Sequence, residues 1–266
     1  MDNLFKNKIK PKGIIFDFGF TLFYFKNPSL ERYIEIEYQG LNLVAEFLKN
    51  EGLFNKNQID TFVENVKKQN RKFWQLSIKT KLEYPTAKIL EFVLKNMKNL
   101  EPSMLEKFLT TENLKKISDK YHSFSDDAWI PFADTKQTLI TLLDAKIKTA
   151  VLSNAKHHDS IIKMLKKHNL LNYFNTIVTS AGFGKRKPNI EIFHFTLEEL
   201  GLSHCPESCL MIGDEAADMI GGKKTKLNTF LIKRSFKFPF EQDILPKYKP
   251  DYTINKISDI LNYIQI

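Results

Sequence analysis

The sequence predicts an α/β fold, a parallel sheet covered by helices on both faces, with an all-helical segment inserted near its start. Three observations carry this. An apolar run of strand length, Gly13-Ile14-Ile15-Phe16, ends in Asp17 and is followed by Gly19, a residue that lets the chain turn sharply. From Pro28 to about Asp127 the apolar residues recur at helical spacing. After Ile130-Pro131, short apolar runs alternate with helical ones, the pattern of strands joined by crossover helices.

The first strand is the 13–16 run, and its polar end marks the exit from a buried sheet. The inserted block divides into helices near 30–49, 58–74 and 86–97, with apolar residues three and four apart, as in Val63 and Val66 or Ile89, Val93 and Met97. The alternating part then reads as a helix at 135–145, a strand Thr149-Ala150-Val151-Leu152 and a helix at 160–168. It continues with a strand Thr176-Ile177-Val178, a helix at 190–200, a strand Cys209-Leu210-Met211-Ile212, a helix around Asp218 and a strand Thr229-Phe230-Leu231-Ile232. A last unit pairs a strand Asp251-Tyr252-Thr253-Ile254 with a helix at 257–264. Pro239, Pro246 and Pro250 break the 233–250 segment, which is expected to be a surface loop. No internal repeat is present. The expected organisation is a core of 1–22 and 129–266 carrying a helical domain of 23–128.

Composition narrows the class. At 266 residues the chain can bury a large core, and 42% hydrophobic with 27% charged residues is ordinary for a globular protein. No apolar stretch reaches the roughly 18 residues of a membrane span. The start, MDNLFKNKIKPKG, lacks the apolar stretch of a secretory signal, so a cytoplasmic location is expected. Cys205 and Cys209, flanking Pro206, suit neither a disulfide framework nor a zinc site. The six histidines, His157-His158 included, show no ligand spacing. The net charge of +9 is spread over lysines such as Lys67, Lys115, Lys163 and Lys223, so neither a specific nucleic-acid partner nor a membrane partner is expected. The oligomeric state leaves no signal in the sequence.

Polar clusters stand at the carboxyl ends of three strands: Asp17, Ser153-Asn154 and Gly213-Asp214. A fourth, Lys185-Arg186-Lys187-Pro188, precedes the helix near Ile190. Each has a plain structural reading alone: a turn former, an N-cap, a turn dipeptide, a solvated charge. In a parallel sheet, however, such ends converge on one crevice. Together they supply carboxylates for a hard cation, a hydroxyl with backbone amides, and a lysine, which are the parts that binding a phosphoryl group requires.

In this order and spacing the chain resembles the haloacid dehalogenase-like (HAD) hydrolase superfamily, in its first subgroup with a helical cap. The four motifs are Ile14 to Leu22 around Asp17, Val151-Leu152-Ser153-Asn154-Ala155, Gly184 to Phe193 around Lys187, and Ile212 to Asp218 around Asp214. The resemblance implies a Rossmann-like core with a cap, and a magnesium-dependent phosphatase of small phosphorylated metabolites. Asp17 would be the nucleophile, forming an aspartyl-phosphate. Mg2+ would be held by Asp17, the Gly19 carbonyl and Asp214, with Asp218 at the metal or orienting Lys187. Ser153 and the amide near Asn154 would bind phosphoryl oxygens, and Lys187 would offset negative charge.

The sequence departs from the pattern at Gly19, where the family's phosphatases carry the aspartate that protonates the leaving group and activates water. Phe20 also replaces a residue that is usually small. Glu215, Asp218 or a cap residue is left as a substitute for the lost acid and base. Haloacid dehalogenases lack the metal-binding acid, which Asp214 here retains. Phosphonoacetaldehyde hydrolases share a tiny residue at position 19 but need a cap lysine motif absent from this sequence. The alternative outside enzymology is a non-catalytic binding or regulatory protein on the same fold. The aromatic residues of the cap, such as Tyr33, Tyr38, Phe73 and Trp74, read as bundle core at helical spacing; of the set, Phe23, Tyr24 and Phe25, just after the first motif, have the best claim to reach the site.

Overall fold

The chain is described by a computed structural model over residues 8–234, 236–239 and 242–266. Residues 1–7 of the N-terminal stretch and 235, 240 and 241 of the expected loop lie outside the described residues. Among the described residues the strands are β1 (Gly13–Phe16), β2 (Phe23–Phe25), β3 (Trp129–Pro131), β4 (Lys148–Ser153), β5 (Thr176–Thr179), β6 (Cys209–Gly213), β7 (Asn228–Ile232) and β8 (Tyr252–Ile254). The helices before the alternating part are α1 (Leu30–Asn50), α2 (Lys56–Thr80), α3 (Thr86–Asn96), α4 (Pro102–Phe108) and α5 (Thr111–Ala128). Those within it are α6 (Thr135–Asp144), α7 (His158–Lys167), α8 (Ser180–Phe183), α9 (Ile190–Glu199) and α10 (Ala216–Lys224).

Six strands form one parallel sheet in the order β5-β4-β1-β6-β7-β8. The pleat sends alternate residues to opposite faces. Ile14, Phe16, Val151, Leu210 and Ile212 meet α6, α7 and the C-terminal turn on one side, while Ile15, Ala150, Leu152 and Met211 meet α9 on the other. Burying a side chain as large as Phe16, Phe193 or Phe230 contributes about 1.5–3 kcal/mol each. α10 lies close on the second face. A Cβ at Gly221 would come within 2.0 Å of the Phe193 ring, so only glycine allows that approach.

Helices α1 to α5 build a separate apolar cluster from Leu41, Val44, Leu48, Phe62, Val66, Leu90, Val93 and Ile117. α1 and α5 touch at Gly40, where a Cβ would fall 1.9 Å from the Tyr121 carbonyl oxygen. Both chain crossings between bundle and sheet run through an antiparallel ribbon that pairs Phe23 with Pro131 and Phe25 with Trp129.

Two expectations at the C-terminal end need correction. The expected helix at 257–264 is a 3-10 helix, Ile257–Asn262. It stops because Ile264 turns away to bridge Ile9, with the Gln265 amide donating to the Ile9 carbonyl. The 233–250 segment is not purely a surface loop: Phe238 is buried against Phe20 (5.8 Å between ring centres) and Tyr33 (5.2 Å), and the Arg234 side chain turns inward.

Candidate active site

Strand β1 ends at Phe16, and the Asp17 amide donates to the Ile212 carbonyl (2.8 Å), which holds the nucleophile candidate at the sheet's carboxyl edge. Lys187 comes from the loop between α8 and α9. Its ammonium lies 2.5 Å from Asp17 Oδ1 and 2.6 Å from Asp218 Oδ1, with only 3% of the residue exposed. Burial alone would lower the pKa of Lys187. The two carboxylates more than offset it and hold the pKa above its ordinary value.

Asp218 sits in the first turn of α10 and is fully buried. Its second oxygen accepts the Glu215 amide at 3.2 Å. Gly213 makes room for it, since a Cβ there would lie 2.2 Å from Asp218 Oδ2. Asp214, at the end of β6, accepts the Thr21 hydroxyl at 3.2 Å. Burial, then the neighbouring Asp17 charge, pushes its pKa well up. Carboxylate oxygens of Asp17, Asp214 and Asp218 all lie within 4.8 Å of one another. Three carboxylates thus face one ammonium, a donor set that suits a hard divalent cation.

Ser153 closes β4 and is buried beside β1. Asn154 grips the backbone of Lys187: its Oδ1 accepts the Lys187 amide (2.8 Å) and its Nδ2 donates to the Lys187 carbonyl (3.2 Å). That side chain positions the lysine. Gly19 faces an aromatic wall, where a Cβ would stand 3.4 Å from the Trp129 ring. Phe23 and Phe25 are buried in apolar clusters, whereas Trp74 lines a cavity of about 200 Å³ together with Ile78, Lys81, Asn154, Arg186 and Lys187.

Sequence reading missed three features. Arg234 follows β7 and donates from Nε to the Phe20 carbonyl and from Nη2 to the Thr21 carbonyl (3.0 Å), while its guanidinium covers the Phe132 ring at 4.2 Å. It pins a turn in which Phe20 adopts a left-handed φ of 52°. Trp129 and Lys81 are the others. None has a local signal, because each reaches the site from a distant segment.

The bundle meets the sheet beside this cleft. Leu82 bridges Lys185, the Glu83 amide donates to Gly184 (2.8 Å), and buried Glu83 accepts the Ser180 hydroxyl at 2.6 Å.

Residues 55–232 match the family described as haloacid dehalogenase-like hydrolase, a span that begins after Asp17. Pyrophosphatase PpaX of Halalkalibacterium halodurans is 25% identical over 171 residues, 64% of this chain and 74% of that protein. A phosphoglycolate phosphatase of Aquifex aeolicus is 34% identical over 131 residues, 49% of this chain and 57% of that protein. In fold, the HAD-hydrolase YfnB of Bacillus subtilis superposes with a TM-score of 0.59 at 18% identity, over 97% of this chain and 100% of that one. The L-2-haloacid dehalogenase of Xanthobacter autotrophicus gives 0.53 at 16% identity, over 94% and 96%. With the six-stranded parallel sheet and the motifs gathered at its carboxyl edge, these likenesses assign the chain to the haloacid dehalogenase-like hydrolases.

Proposed function

We propose that the chain is a magnesium-dependent, cytoplasmic phosphatase of small phosphorylated compounds that works through an aspartyl-phosphate on Asp17. The observation that carries this reading is the placement of Asp17 at the end of β1, bonded to buried Lys187 and within 4.8 Å of Asp214.

In the first step an Asp17 oxygen attacks phosphorus, the bond from phosphorus to the leaving oxygen breaks, and its electron pair departs with that oxygen. In the second, water adds to phosphorus, Asp17 is released as a carboxylate, and inorganic phosphate and a proton leave. Lys187 offsets the charge that gathers between Asp17 and the phosphoryl oxygens, and Asp218 keeps it there. Ser153 and the amide after it bind those oxygens. Asp17, Asp214 and the Gly19 carbonyl would hold Mg2+, with Asp218 beside them; the ion supplies charge neutralisation for the transferring group. The bundle of 23–128 serves as a cap over the cleft, joined to the core by the β2–β3 ribbon.

Gly19 leaves no side chain there to deliver or take a proton, a contribution typically about 10²–10⁴-fold in rate. With a leaving group that needs no proton, hydrolysis of the phosphoenzyme is therefore the slow step. With p-nitrophenyl phosphate and Mg2+, rapid quench is expected to give a burst of nitrophenol stoichiometric with enzyme and label on Asp17, both absent in Asp17→Asn. Fast alkyl phosphate turnover with neither burst nor label would remove Asp17 from the role. Asp214→Asn is expected to abolish the rise in melting temperature that Mg2+ gives the wild type. An unchanged rise would place the ion elsewhere.

A further inference from the structure

The cavity of about 200 Å³ beside Lys187 has a wall that the two steps above do not use. Lys81 caps α2 with a left-handed φ of 60°, which turns the chain back toward the Lys185–Pro188 loop. Its ammonium donates to the Ile78 carbonyl at 2.5 Å. Burial, then Arg186 and then Lys224, lowers its pKa: the charges that act on it are positive. Arg186 beside it donates Nη1 to Ser77 (2.8 Å) and lies 3.6 Å from Glu83, while its Nε–H is buried with no hydrogen-bond partner among the described residues. A buried donor left unmade is costly. Two cations with a spare donor form a receiver for an anion. Trp74 and Ile78 supply the apolar remainder of the wall.

Position 19 adds an independent constraint. No proton can come from its side chain, and the space a larger one would enter faces Trp129. Glu215, on the cavity wall, accepts the amide of Asp218 as the cap of α10. A leaving group that departs here must be stable as an anion. An alkoxide is not, and loses most from the missing acid. A phosphate is.

We infer that the wall formed by Lys81 and Arg186 receives the leaving group, and that the leaving group is itself a phosphate, so that the substrate class is a phosphoanhydride and not an alkyl phosphate. This rests on Asp17 as nucleophile. Asp17 attacks the terminal phosphorus, the bond to the bridging oxygen breaks, and that oxygen keeps the electron pair as part of a released phosphate. No proton has to be delivered in that step. A carboxylated alkyl phosphate such as phosphoglycolate offers the same wall a negative charge, but its leaving oxygen is an alkoxide. The two relatives named for pyrophosphate and phosphoglycolate thus differ in the property that position 19 reads.

The test compares kcat/KM of the full chain, with Mg2+, for pyrophosphate, phosphoglycolate and p-nitrophenyl phosphate, in the wild type and in Lys81→Met and Arg186→Met. Pyrophosphate is expected to exceed phosphoglycolate by about 10²-fold or more. The ratio of pyrophosphate to p-nitrophenyl phosphate is expected to fall about tenfold in Lys81→Met, a variant that leaves the Arg186–Glu83 contact in place. If phosphoglycolate is turned over as fast as pyrophosphate with label still on Asp17, the inference fails while the nucleophile stands. An unchanged ratio in both variants removes Lys81 and Arg186 from the wall and also overturns it. No turnover of any of the three, with no label, overturns both.

Discussion

Two regions bury titratable groups, and they differ in the counter-charge buried with them. In the cleft, Lys187 lies between Asp17 and Asp218 at 2.5 and 2.6 Å, and despite burial these carboxylates hold its pKa above the ordinary value. At the contact between α5 and α7, burial instead shifts each group toward its neutral form. His122 and His157 stack with ring centres 4.8 Å apart, and burial pushes both pKa values below the ordinary range. Asp126, whose Oδ1 has no hydrogen-bond partner among the described residues, is pushed up to about 6 by burial. A charge survives burial where its counter-charge is built in with it. Elsewhere the proton balance gives way.

Breaking the first arrangement is expected to have the largest effect. Lys187→Met leaves Asp17 and Asp218 facing each other without a cation, so phosphatase turnover should vanish and stability should fall by about 3–5 kcal/mol, measured by urea unfolding. Full stability in this variant would mean that the carboxylates find another counter-charge. Smaller is the loss from Glu83→Gln, which keeps the bond from Ser180 but removes the charge facing Arg186; about 1–3 kcal/mol is expected in the same measurement.

Titration of the α5–α7 contact sharpens the other half. Asp126 has a folded pKa near 6 against an ordinary 3.8, so its stabilising contribution is present below pH 4 and lost as pH rises through 6. Asp126→Asn should therefore gain about 1–2 kcal/mol at pH 7.5 and nothing at pH 4. The histidines have the opposite sign. Their pKa values are depressed, so stability is present above about 6.5 and lost as pH falls below it, and His122→Gln should flatten that acid-side loss. A uniform offset at every pH for either variant would count against neutral burial at this contact.

Much of the cleft was legible because a strand end is a local pattern. Ile14-Ile15-Phe16 followed by Asp17, and Met211-Ile212-Gly213 followed by Asp214, each announce a buried run meeting a polar edge within a few residues. Gly213 reads as a turn residue, yet its reason lies in Asp218 pressing against it. Trp129 could not be matched to Gly19 from sequence, since more than a hundred residues separate them and only the ribbon of β2 with β3 brings them together. Those two strands have three residues each, too few for period-two alternation to stand out. Arg234 stayed hidden for another reason. Proline spacing argued correctly against a long element there, but says nothing about which side chains turn inward.

The strand order also bears on how the chain is made. β1 leads into Asp17, and its neighbours in the sheet, which begin at Lys148 and Cys209, leave the ribosome well after it. At about 5–20 residues per second, this apolar strand waits roughly 10–40 s for both sides of its bed. The helices of 30–128 contact one another over shorter separations and can collapse meanwhile. The residue proposed to begin catalysis is thus synthesised long before the strands that lock it in place, and a nascent-chain chaperone would find a long-exposed target at Gly13–Phe16.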